Sequence, residues 1–250
     1  MICRSSSSTS FANDDERAFG APPGLGALLR STTATLREQP VYAYIVTTIK
    51  TTPDFQLRQT GSAPNFDGGR ITLCTCKHKD RATFHPSSDP HDPWKNVWVA
   101  GLTSKSEAPS RSLAYLMCVE RSLLSQRELW RVLPGSCRRA KSASKSELGD
   151  LFEPKVAAAN DPYNPAHYYS PPVGGHVHSD PQHPNTWHHD VMRWGRWSKP
   201  HRLLLGQAAQ SYRWMHVKMI LKLNSMGVSA HHRMYASLNE FIANLQEFDP

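Results

Sequence analysis

Between residues 40 and 120 the chain alternates in short blocks. Runs of β-branched, aliphatic and aromatic residues are separated by stretches rich in Pro, Gly and Asp. Residues 41–48 (VYAYIVTT), set off by Pro40, read as a strand, and residues 53–65 as a loop. Residues 70–76 (RITLCTC) alternate Ile71 and Leu73 with Thr72 and Thr75, the pattern of a second strand. After a Pro- and Asp-rich loop at 85–93, residues 96–102 (NVWVAGL) and 113–120 (LAYLMCVE) predict two more strands, and 122–132 a helix. No long crossover helix separates these strands. The expected class is therefore α+β, built on a curved, mainly antiparallel sheet.

From Pro134 to His201 the pattern dissolves into recurrent Pro and Gly, which predicts a long irregular loop that wraps the sheet or lids a site. Helical character returns over 201–223, although Leu203–Leu205 also suits a short strand. Residues 230–248 place Met234, Leu238, Ile242 and Leu245 on one stripe and predict a second C-terminal helix. Residues 1–38 combine a Ser/Thr run, the acidic cluster Asp14-Asp15-Glu16 and Ala-Pro-Pro-Gly, too little apolar surface to offset ordering entropy. They are expected to form a disordered tail, or an overextended gene start, before one domain at 39–250. No stretch approaches the ~20 apolar residues of a membrane span, and no secretory leader is visible. With an odd count of five cysteines, reduced thiols in the cytoplasm are the expectation.

Charge sharpens this picture. The formal net charge is +8. Residues 191–239 carry eight Lys/Arg and no acid, and the rest of the chain is balanced. The same segment holds Trp194, Trp197, Tyr212, Trp214 and Tyr235, so Arg193, Arg196 and Arg213 with Trp194 and Trp197 are candidates for contact with nucleic acid. Residues 121–145 form a second basic concentration, with Arg127, Arg131, Arg138, Arg139 and Lys141 against Glu128. A solvated helix face over a Trp-rich core is the plainer explanation of both.

Three constellations bear on chemistry. In residues 63–77 (APNFDGGRITLCTCK), Pro64-Asn65 and Gly68-Gly69 call for a tight turn before a strand, where glycines permit close approach to a ligand. Period two puts Cys74 and Cys76 on one face and Thr75 and Lys77 on the other. The alternative is a hairpin turn with two buried core cysteines. A nucleophile at Cys76 or Cys74, with His78 or a loop histidine as base and Asp67 or Asp150 orienting it, is the second possibility, set against a structural thiol. The third is the cluster His176, His178, His183, His188, His189 and Asp190. Its flexible context and lack of recognised ligand spacing give no metal site.

The run APN-x-x-GG-x-x-TL-x-x-CK, with Arg81 after it, resembles the nucleotide modification associated domain 2 family. So does the order around it: the Tyr-rich strand Tyr42-Ala43-Tyr44-Ile45-Val46, the strand Trp98-Val99-Ala100-Gly101, the strand Tyr115–Glu120, a helix with Trp130, and Gly149-Asp150. The likeness covers residues 40–150 well and 190–220 loosely. His78 replaces the family's usual Pro, Phe66-Asp67 replaces Pro-Phe, and residues 85–94 look inserted. The resemblance implies an α+β domain associated with base modification and does not choose between catalyst and reader. For a nucleotide pocket in such a domain, Asn65, Gly68, Gly69, Thr72, Arg81 and Gly101 are the nucleotide-binding candidates and Cys76, Lys77 and His78 the catalytic candidates, with no named cofactor. The expected partner is a nucleic acid or nucleotide, with no membrane association. A non-catalytic reader or a defence-system interaction module is the alternative.

Overall fold

A computed structural model describes residues 19, 21–60, 64–74, 77–104, 110–142, 151–155, 161–169, 191, 201–222 and 232–249. In chain order the elements are α1 (Leu25–Ser31), α2 (Ala34–Arg37), β1 (Val41–Val46), β2 (Ile49–Thr51), β3 (Leu57–Gln59), β4 (Thr72–Leu73) and α3 (His78–Thr83). There follow β5 (Trp98–Thr103), β6 (Leu113–Leu123), α4 (Gln126–Val132), α5 (Gly135–Ser142), β7 (Leu203–Arg213), β8 (Met219–Leu221), β9 (His232–Tyr235), α6 (Leu238–Ala243) and β10 (Leu245–Glu247).

The main sheet has six strands in the order β4-β7-β6-β5-β1-β9 and curls into a half-barrel. Every pairing is antiparallel except β1 with β5. The expected α+β class therefore holds. The parallel pair needs a long crossover, which is supplied by the β2–β3 hairpin, the 64–70 turn, β4 and α3 rather than by one long helix. The curl follows from β6 and β7, each 11 residues long, whose pairing shifts register twice around Val119. All residues of β1 and β5 are buried, because both faces of the sheet are covered.

Residues 53–65, expected as a loop, contain β3, which pairs with β2, and two longer segments also differ from the pattern reading. Residues 203–213 form β7, not a helix, because residues 203–206 and 211–213 pair with β6; such pairing outweighs local propensity. Residues 230–248 divide into β9, α6 and β10. The His232–Tyr235 stretch pairs with β1, and a new helix begins at Ser237, whose hydroxyl accepts from Glu240 N while Glu240 accepts from Ala236 N. This is a variant of the Ser-x-x-Glu capping box, repeated at Ser125 and Glu128 before α4. The irregular region after Pro134 opens with α5, and the histidine cluster expected beyond it lies outside the described residues.

The expected tail is also ordered in part. Leu25, Leu28 and Leu29 of α1 pack on the core with Leu36 of α2, and Leu28 is fully buried. The Trp98 indole donates to Leu36 O at 2.8 Å, and Leu25 N donates to Glu247 at 3.0 Å. The polar composition of 1–38 concealed this local apolar stripe. Residues 1–18 lie outside the described residues.

Gly101 occupies the middle of β5, and a Cβ there would stand 2.0 Å from Tyr115 Cε1 and 3.0 Å from Val46 Cγ2. Gly101→Ala is expected to destabilise the fold by about 1–3 kcal/mol or more through overpacking. Urea unfolding of the two proteins measures it.

Candidate functional site

One cross-strand row organises the site. His232 of β9 pairs with Tyr44 of β1, Tyr44 with Gly101 of β5, Gly101 with Tyr115 of β6, and Tyr115 with Arg213 of β7. Directly paired residues project to the same face of a sheet, so an imidazole and a guanidinium end a row that has two phenols and a gap between them. The Tyr115 ring lies across Gly101, and its hydroxyl donates to the Tyr44 hydroxyl at 2.8 Å.

Further rings extend the row. Phe66 meets Tyr115 edge-on at 5.8 Å, and the Arg213 guanidinium sits 4.2 Å over Phe66. Tyr42, two residues before Tyr44 and on the same face, has its ring 5.8 Å from Tyr44. The Lys77 ammonium lies 5.4 Å from the Tyr44 centroid. Both cations are within reach of a ring quadrupole. The phenols are buried, whereas Lys77, Arg213 and His232 are part-exposed and form the accessible rim.

Helix α3 covers this face. The Tyr42 hydroxyl donates to Asp80 Oδ2 at 2.5 Å, and His232 Nδ1 approaches the same oxygen at 3.5 Å. The His232 ring stacks on Tyr42 at 5.5 Å, with Phe84 edge-on at 5.0 Å. Arg81 is buried and donates to the carbonyls of Cys74 and Arg202, tying α3 to the end of β4 and the approach to β7. His78 packs its ring 4.4 Å from the buried His201. Lys77, immediately before α3, has φ 58° and ψ 38°, the left-handed region that costs a non-glycine residue about 1–2 kcal/mol.

The 65–69 turn is fastened from behind. Asn65 bridges Thr72 through two backbone hydrogen bonds, and its side chain bonds with Asp67. The fully buried Lys141 of α5 donates to Asn65 Oδ1 at 2.7 Å and Asn65 O at 3.2 Å. Gly68, at φ 72°, lets α5 approach so closely that a Cβ would stand 2.8 Å from Cys137 Cα. Gly69 has the same φ.

The expected nucleotide-binding residues thus divide. Asn65, Thr72 and Arg81 are buried and engaged with the protein itself, Gly68 and Gly69 shape the turn under α5, and Gly101 makes room for Tyr115. Lys77 and Arg213 join the tyrosine row, and His78 stands next to Lys77 at the start of α3. Cys76, Arg193, Trp194, Arg196 and Trp197 lie outside the described residues, as do Gly149 and Asp150. Sequence reasoning missed His232, Asp80 and Phe66 as members of the site. The register of β9 against β1 brings His232 there, and no local motif carries that information.

Among the described residues no group of three His, Cys, Asp or Glu could hold a metal, and no helix is long and apolar enough to cross a membrane. An open cleft of about 1090 Å³ lies between residues 21–24, residues 214–219 and residues 247–249; Trp214 and Lys218 of the basic segment line it, and none of the candidate site residues does. Comparison with protein-family models, curated proteins and solved structures finds no match to the chain.

Burial, followed by the hydrogen bond to Asp80 and the charge of that carboxylate, pushes the Tyr42 phenol well above its ordinary value of 10. The fold therefore favours the neutral phenol. Its contribution to stability is whole below pH 10 and is lost as pH rises from there towards the folded-state pKa. Between about pH 9 and 11 the wild-type chain should lose stability more steeply than Tyr42→Phe. Urea midpoints across that range test this, and equal slopes would remove Tyr42 from the alkaline transition.

Proposed function

We propose that the chain binds a nucleotide, free or within a nucleic acid, at the rim of the tyrosine row, in a role associated with base modification. The observation that carries this reading is the pair of cations at the two phenols: Lys77 over Tyr44, and Arg213 beside Tyr115 and over Phe66. Phosphate recognition requires accessible cations at fixed spacing, and these two are held by neighbouring rings rather than waving in solvent. The left-handed backbone at Lys77 points the same way, because strained conformations persist where the surroundings enforce them, and they cluster at ligand sites. The ordered motifs that resemble the nucleotide modification associated domain 2 family add a reason to prefer nucleotides over other anions. Catalyst and reader share this geometry. A cytoplasmic, reducing setting fits Cys74, Cys118 and Cys137, which are buried and outside any disulfide.

Calorimetric titration with deoxynucleoside 5′-monophosphates, including dCMP and its 5-methyl derivative, tests the reading. Lys77→Ala should weaken binding on the order of 10-fold or more, as expected for loss of one charge-assisted contact. Absence of binding by the wild-type chain at millimolar nucleotide would refute it. Mass spectrometry of the incubated nucleotide distinguishes a catalyst, which changes its mass, from a reader.

A further inference from the structure

Helices α4 and α5, with the end of β6 before them, carry a concentration of basic residues. From Arg121 to Ser142 there are Arg121, Arg127, Arg131, Arg138, Arg139 and Lys141, and one acid, Glu128. The Glu128 carboxylate accepts from Leu124 N and so is held at the start of α4. Lys141 points inward to Asn65. Arg131 and Arg139 are exposed, and the Arg138 guanidinium lies 5.4 Å over the ring of Trp130, both half-buried. The result is a flat aromatic–guanidinium platform flanked by cations, the combination that suits stacked bases on a phosphate backbone.

This platform is bolted to the proposed nucleotide site. The inner side of α5 presents Cys137 to Gly68 and Lys141 to Asn65, and the turn so held carries Phe66, which touches Tyr115 and lies under Arg213.

We infer that the α4–α5 surface is a docking face for the sugar-phosphate backbone of a nucleic-acid strand, so that the substrate class is polymeric nucleic acid rather than free nucleotide. The inference rests on the nucleotide reading for what the strand delivers, but its own evidence is the platform. An anionic membrane surface would also meet exposed arginines. The Trp130–Arg138 pair favours nucleic acid, since a planar guanidinium held beside an aromatic ring can stack on a base as well as meet a phosphate.

The test uses the full chain and a fluorescein-labelled single-stranded DNA of about 20 nucleotides, longer than the ~4–16 nucleotides that a single binding fold covers. The double variant Arg138→Gln/Arg139→Gln changes the outer side of α5 and leaves Cys137 and Lys141 in place. Its expected effect is at least a 10-fold loss of DNA affinity, with the slope of log affinity against log salt shallower by about 1.4 for two lost phosphate contacts. Binding of dCMP should be unchanged. Unaltered DNA affinity in the variant overturns the inference and leaves the nucleotide site standing. DNA binding that depends on both arginines, with no binding of any mononucleotide, supports the docking face and removes the nucleotide site instead. Equal, arginine-dependent binding of wild-type protein to phosphatidylserine vesicles and to DNA assigns the face to anionic surfaces in general and overturns the nucleic-acid assignment.

Discussion

The missing side chain at Gly101 is the constraint from which the rest of this face follows. β1 and β6 are not neighbours; β5 runs between them, and any Cβ at position 101 would occupy the space of the Tyr115 ring. With no side chain there, Tyr115 crosses the intervening strand and its hydroxyl meets that of Tyr44. The bond gives the buried Tyr115 hydroxyl an acceptor, where a buried hydroxyl left without one costs about 1–3 kcal/mol. The same crossing fixes the ring against which Phe66 packs, and through Phe66 the seat of Arg213. Gly101 is a binding candidate in the sequence, and the structure gives it a steric contribution: it determines which aromatic surface exists.

The second dependence runs from the rim to the back of the molecule. Lys141 is a fully buried ammonium whose acceptors on the 65–69 turn are an amide oxygen and a backbone carbonyl, both from Asn65. Removing Asn65 would strand a charge in the interior, so the two residues constrain each other more strongly than a surface pair could. The turn cannot move without α5, and α5 carries the outward arginines. The local structure that looks like a ligand cradle in the sequence, Pro64-Asn65 and Gly68-Gly69, is occupied by the protein's own helix.

This explains what was legible in the chain. β1, β5 and β6 announce themselves because both of their faces are buried and their runs are dense in aliphatic and aromatic residues. β7 does not, since its middle residues Gln207–Gln210 lie open to solvent or half-open, and the Leu-rich start suits a helix equally well. The 230–248 segment shows a helical stripe, yet Ser237 and Glu240 mark a helix start in its middle, a signal the sequence does contain. The candidate site was half legible for the same physical reason. Lys77 and Arg213 stand out as cations in informative surroundings. Asn65 and Arg81 are polar residues in a motif, and a motif does not reveal whether polar groups face a ligand or a carbonyl. His232 and Asp80 are joined only by strand register and helix docking across most of the chain.

Lys77 draws these threads together. A left-handed non-glycine residue needs surroundings that hold it, and the residues following it supply them. Asp80 takes the Tyr42 hydroxyl and faces His232, which fixes α3 over β1 and β9. Arg81 takes two carbonyls, from Cys74 and Arg202, which fixes the same helix to β4 and to the approach of β7. A helix of six residues has little stability of its own, so these tertiary bonds hold it in place. The polar residues of the motif are consumed in building the support, and the ammonium of Lys77 is what the support presents at the rim. The motif thus divides into buried and part-exposed members: Arg81 and Asn65 bond within the protein and set the positions of Lys77 and Phe66.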